Sequence, residues 1–149
     1  MAIAAPAAPV QDPKEANPAV EKIRALLKAH DEAMTSHDLK GVMGCLTEKA
    51  AIMGTGPGEI WVGSDQITVA YKHFFEGFDK GEQNFEYQFE IGGVSADMGW
   101  LMASGNVTGK KDGKDLAFPM NISLTVAKES GDWQIAAMHF STLTGGANA

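Results

Sequence analysis

A single cysteine among 149 residues, Cys45, excludes an internal disulfide and leaves the redox compartment open. Basic residues are also scarce. Twelve lysines and arginines against 19 carboxylates give a formal charge of −7, which argues against the clustered positive footprint of a nucleic-acid-binding protein. The nearest thing to a basic run, Lys110, Lys111 and Lys114, is interrupted by Asp112 and Asp115 and reads as a solvated hairpin tip. No apolar run reaches the ~18 residues needed to span a bilayer, so neither membrane nor nucleic acid is expected as a partner. The opening, "MAIAAPAAPVQDPKEANP", holds four prolines but has no basic n-region and no uninterrupted apolar h-region. Residues 1–16 therefore read as a flexible leader, 17–144 as one domain and 145–149 as a disordered tail. The expected location is cytoplasmic; the alternative is export, with residues 1–18 following a removed signal peptide. Deleting the leader should leave the unfolding midpoint nearly unchanged, and a loss above about 2 kcal/mol would show that it docks onto the domain.

The stretch "AIMGTGPGEIWVG", residues 51–63, is rich in glycine but lacks what a phosphate cradle requires. No Gly-Lys-Ser/Thr follows, and Gly58 leads through Glu59 into a strand rather than a helix. It reads as a hairpin turn, with Pro57 and glycines supplying the turn conformations.

What is present is a clear change of period. Val20, Ile23, Leu26, Leu27, His30 and Met34 recur at helical steps, behind Asn17 as N-cap and Pro18 in the first turn, predicting a helix to about Ser36. "SHDLKGVMGCL" predicts a second, short helix with Val42, Met43, Cys45 and Leu46 on its apolar side. Ser64 is the expected cap of a third helix, Asp65 to about Phe78, packing through Ile67, Tyr71, Phe74, Phe75 and Phe78. From residue 85 the period is two: Phe85, Tyr87, Phe89 and Ile91 oppose Glu86, Gln88 and Glu90. "MGWLMASGNVTG" is apolar on both faces, as in a central strand covered on both sides. "KKDG" and "SGD" turn the chain into two further strands. Helices followed by long meandering strands make an α+β pattern.

In that order and spacing, "SHDLKGVMGCL", "GTGPGEIWVGSDQI" and "GDWQIAAMHFS" resemble the SnoaL-like and ketosteroid-isomerase-like proteins of the nuclear transport factor 2-like superfamily. The likeness covers roughly residues 18 to 143. It implies a cone, with the N-terminal helices packed into a strongly bent, mostly antiparallel sheet and a pocket at the open end. Asn121 stands where relatives often carry arginine, so a cationic anchor for an acidic ligand is missing. Isomerase relatives use an aspartate base with a tyrosine and a protonated aspartate; no motif ties Asp97 or Tyr87 to those roles, and neither is assigned one.

Glu59 and Trp61 share a strand face. A carboxyl beside an indole in a pocket has its pKa raised and serves as a general acid or base; the plainer reading is a solvated strand-end glutamate. Parity in the last strand groups His139 with Trp133, Ile135, Ala137 and Ser141, and leaves open whether that row or Met138 and Phe140 line the concave side. His30-Asp31 and His37-Asp38 recur seven residues apart, about 10.5 Å of helical rise and too far to share one ion, so no metal site and no cofactor is expected. Cys45 reads as inert packing. The expected function is binding of a small apolar molecule, with acid–base isomerase, cyclase or dehydratase chemistry as its enzymatic form. Glu59 and His139 are the expected catalytic groups, and Trp61, Trp100, Phe75, Met120 and Asn121 the expected ligand contacts. The alternative is a non-catalytic association module. A homodimer paired through the outer sheet face is expected in either case.

Overall fold

The computed structural model describes residues 17–142, so the leader at 1–16 and the tail at 145–149 lie outside the described residues. Helix α1 (Pro18–Thr35) starts where the caps predict, with Asn17 Oδ1 accepting from the Ala19 N–H at 2.9 Å. Helix α2 (Leu39–Gly44) begins at Asp38, whose carboxylate accepts from the Gly41 N–H at 2.9 Å. Cys45 ends α2 rather than lying on its face, and Leu46 already belongs to strand β1 (Leu46–Met53). The glycine stretch is a hairpin turn into β2 (Ile60–Val62), in the register Met53 opposite Ile60. Helix α3 (Gly63–Glu76) differs from expectation at its start. Ser64 donates to the Glu48 carbonyl instead of capping, and the Val62 N–H is taken by Gln66 Oε1 at 2.8 Å.

Strands β3 (Asn84–Ser95), β4 (Met98–Lys111), β5 (Lys114–Ala127) and β6 (Gln134–Thr142) complete one curved, open six-stranded sheet in the order β2-β1-β6-β5-β4-β3. The β1–β6 pair is parallel and the other four are antiparallel. The β4–β5 turn is Asp112-Gly113, both at positive φ (53° and 77°), which matches the right-handed twist of the flanking strands. Asp79, between α3 and β3, accepts from the N–H groups of Gly113 (2.8 Å) and Asp112 (2.9 Å), and those bonds hold its carboxyl below the usual range. The helices cover one sheet face. Ile23, Leu27, Val42, Ile52, Ile67, Leu101, Leu124, Val126 and Ile135 form the core there, each with almost no exposed surface. Among the described residues no helix is long and apolar enough to cross a membrane.

Two β-bulges set which side chains face the helices. On β3, Tyr87 pairs with Gly105 and Phe89 with Ser104, so Gln88 is an inserted residue. Phe85 and Tyr87 therefore point inward, whereas Phe89 is turned to the outer face, contrary to the simple alternation. Gly105 sits where the bulge crowds it: a Cβ there would lie 1.9 Å from the Glu86 carbonyl oxygen. On β6, Val126 pairs with Ile135 and Thr125 with Ala137, leaving Ala136 inserted. Trp133 and Ile135 are buried, while Ala137 and His139 face outward and Met138 is buried. The row that parity groups together is thus split between the two faces. Strand β4 keeps strict alternation. Leu101, Ala103 and Val107 are buried, while Trp100 and Met102 lie open on the outer face of the single chain.

Candidate functional site

Between the helices and the concave face of the sheet is a cavity of about 430 Å³, within the range of small-molecule sites. Its apolar wall includes Phe74 of α3, Phe85 of β3, Phe118 and Met120 of β5, and Met138 and Phe140 of β6. Edge-to-face contacts order the aromatics, with Phe74 5.4 Å from Tyr71 and 5.6 Å from Phe140 between ring centroids. Among the described residues, no lysine or arginine lines the cavity.

Part of its polar wall is a connected network. His30 and Asp31 are adjacent on α1 and both are buried. His30 Nδ1 lies 3.0 Å from Asp31 Oδ1, and His30 Nε2 lies 2.5 Å from the Tyr71 hydroxyl. The Tyr87 hydroxyl donates to the other Asp31 oxygen at 2.6 Å. An ionised carboxylate only accepts, so the ring proton belongs on Nδ1 and Nε2 is left facing Tyr71. Burial, followed by the charge of Asp31, pushes both phenols far above their ordinary pKa, so both remain proton donors. Burial likewise raises the Cys45 thiol, with Asp31 adding to the shift. On its other side Asp31 borders a groove between α1 and β3, where Arg24 stands 3.4 Å from Glu90.

The chain's two tyrosines are Tyr71 and Tyr87, so tyrosinate absorbance reports on this network alone. Their folded pKa values lie above the unfolded ones. The stability they contribute is therefore complete below pH 10.0, the ordinary phenol value, and is lost as pH rises beyond it. In an alkaline titration we expect no tyrosinate signal from the folded protein through pH 10.0, then its appearance together with cooperative unfolding. Non-cooperative ionisation of folded protein at the ordinary value would contradict the arrangement.

The sequence-predicted site residues are not gathered in one place. Met120 lines the cavity. Trp61 packs edge-on against Phe74, 5.3 Å between centroids, and Phe75 stacks on His37 at 4.9 Å, beside the cavity rather than in its wall. Glu59 does lie next to Trp61, as their shared face requires: a Cβ on Gly54 would meet both side chains. Its carboxylate, however, accepts from the Gly56 N–H at 2.9 Å and closes the glycine turn. His139, Trp100 and Asn121 are on the opposite, outer face of the sheet. Asn121 accepts there from Ser104 Oγ at 2.6 Å, and His139 is paired beside Met53 and Ser123. The sheet thus stands between the two expected acid–base groups, because the bulge in β6 turns His139 outward. A depression of about 490 Å³ on that outer face is lined by Phe89, Met102, Asn121, Ser123 and His139. It has no buried titratable cluster, so the inner cavity is the better candidate site.

Residues 23–145 match the SnoaL-like domain family. No functionally curated protein matches the chain. Among solved structures, a ketosteroid isomerase-like protein from Erwinia carotovora atroseptica is 24% identical, with a TM-score of 0.67 over 87% of this chain and 99% of that one. A nuclear transport factor 2-like protein of unknown function from Pseudomonas putida KT2440 is 16% identical, with a TM-score of 0.70 over 83% and 85%. A Xanthomonas campestris protein, provisionally named as an association domain of calcium/calmodulin-dependent protein kinase II, is 15% identical, with a TM-score of 0.72 over 96% and 99%. At these identities the structural likenesses establish the fold alone, whereas the match over residues 23–145 establishes the family: the chain belongs to the SnoaL-like domain family.

Proposed function

We propose that the protein binds a small, neutral, largely apolar molecule in the inner cavity and moves a proton on it, as an isomerase, cyclase or dehydratase would, without a covalent intermediate. The observation that carries this reading is the buried Tyr71–His30–Asp31 cluster, braced by half-buried Tyr87, opening into an apolar chamber. Asp31 fixes the imidazole tautomer, so Nε2 and the Tyr71 hydroxyl are the groups able to exchange a proton with a carbonyl-bearing ligand. The absence of lysine and arginine from the lining favours neutral ligands over acids. The likeness to a ketosteroid isomerase-like protein agrees with the reading.

The test is deuterium incorporation next to the carbonyl of a panel of neutral cyclic ketones in heavy water, followed by NMR. The protein should accelerate exchange for at least one ketone that it binds, and His30→Gln should reduce that acceleration by roughly 10²–10⁴-fold. Ketones that bind without accelerated exchange would reduce the function to binding.

A second reading, an association module, has its own support. Phe89, Trp100 and Met102 are 55%, 43% and 53% exposed on the outer sheet face, and the Xanthomonas neighbour carries an association-domain name. Pairing of two copies through that face is compatible with a working cavity on the other side.

A further inference from the structure

We propose that protonation of His30 reverses its hydrogen bond with Tyr71 and so changes what the Tyr71 hydroxyl offers the cavity, from an acceptor to a donor. The proposal rests on the binding reading above and specifies the ligand groups taken by the same site. With His30 neutral the site favours a ligand hydroxyl; with His30 charged it favours a carbonyl oxygen.

The reasoning is an accounting of protons. Asp31 Oδ1 accepts at 3.0 Å from His30 Nδ1, which carries its hydrogen in both charge states. The variable atom is Nε2, 2.5 Å from the Tyr71 oxygen. In the neutral ring Nε2 has only a lone pair, so the single phenolic proton must lie on this bond. The cavity, which Tyr71 lines, then meets the lone pairs of the phenol oxygen. In the charged ring Nε2–H donates, the phenol oxygen accepts, and the phenolic proton must leave the bond. Among the described residues Tyr71 has no second hydrogen-bond partner, so that proton is free for the cavity.

The neutral state keeps the network satisfied, as buried polar groups require, and the charged state leaves one donor, the Tyr71 hydroxyl, for a ligand in the cavity to accept. Asp31 Oδ2 stays occupied by Tyr87, and proton uptake replaces a lone buried carboxylate with an ion pair. The groups facing the ring are few. Asp31 belongs to its own helix and Tyr71 comes from α3; Cys45 and Tyr87 stand behind them from the end of α2 and from β3, and Glu90 with Arg24 stands beyond Tyr87. The phenols and the thiol are held protonated by burial, which leaves Asp31 as the charge that meets His30. The proton comes from solvent, which meets Asp31 in the α1–β3 groove as well as through the cavity.

The test uses 1-indanone and 1-indanol, neutral probes that differ only in carbonyl against hydroxyl. Affinities are measured by NMR titration at about pH 5 and about pH 8, while the ¹⁵N shift of His30 Nε2 reports the state of the ring. As the ring gains its proton, the ketone-to-alcohol affinity ratio should rise by about tenfold in the native protein. It should stay flat in Tyr71→Phe, which lacks the hydroxyl, and in His30→Gln, which has no proton to gain. A constant ratio in native protein whose ring does titrate would overturn the proposal, and so would a ring that keeps one state across the range. If neither indane binds, the binding reading fails for this ligand class, yet the ligand-free protein still decides the switch. A Tyr71 hydroxyl proton coupled to Nε2 at high pH and uncoupled at low pH supports it; coupling at both overturns it.

Discussion

Replacing Asp31 with alanine is expected to lower the free energy of unfolding by about 3–5 kcal/mol, one of the largest losses available to a single polar side chain in this fold. The carboxylate accepts from two partners, the buried His30 Nδ1 and the half-buried Tyr87 hydroxyl. Alanine supplies neither acceptor, and the Nδ1–H of buried His30 is left without its partner. Each unsatisfied buried group costs about 1–3 kcal/mol, which outweighs the modest net worth of a hydrogen bond that is simply exchanged for one to water. Tyr87→Phe should cost only about 1 kcal/mol, because it removes a donor and leaves the carboxylate bonded to His30. Urea unfolding of both variants is the check. Equal losses, or a loss below about 1 kcal/mol for Asp31→Ala, would show that water already satisfies the network and that the site is wetter than its burial implies.

The four members of this network are visible in the sequence one at a time, but not as a set. His30 falls in the apolar stripe of α1 and Tyr71 in that of α3, where periodicity reads both as packing. Asp31 is the stronger sign: a carboxylate beside a stripe histidine, one helical position off the face, is costly to bury without partners. Spacing argued that His30 and His37 cannot share an ion, but it could not bring Tyr87 to Asp31 across 56 residues. The helix start at Asn17 and the turns at Thr55–Gly58 and Asp112-Gly113 were legible because each depends on local backbone chemistry. The bulges at Gln88 and Ala136 were not. An inserted residue leaves no mark in composition, but it reverses the facing of everything that follows. That is how Phe89 and His139 come to the outer face, while Met138 and Phe140, the other branch of the parity reading, line the cavity.

The outer face supports the remaining large effect. Met102→Glu is expected to weaken pairing of two copies by about 10³-fold, equivalent to about 4 kcal/mol. The chain carries a formal charge of −7, so two copies repel over most approaches. The patch is formed by Phe89 and Ile91 on β3, Trp100 and Met102 on β4, Asn121 and Ser123 on β5, and His139 on β6; Glu90 also borders it, with its carboxylate 3.4 Å from Arg24 in the α1–β3 groove, and Glu86 stands at its margin. The indole of Trp100 lies across Gly93, where a Cβ would come within 2.8 Å of Nε1. A stable contact there needs about 1,200 Å² of total buried area. In a two-fold pairing, one Met102→Glu substitution places two desolvated like charges in that surface. Met102→Leu keeps the apolar area and should pair as the native chain does. Sedimentation equilibrium at micromolar concentration decides it. A native monomer would remove the association reading, and a glutamate variant that pairs normally would move the contact to another face.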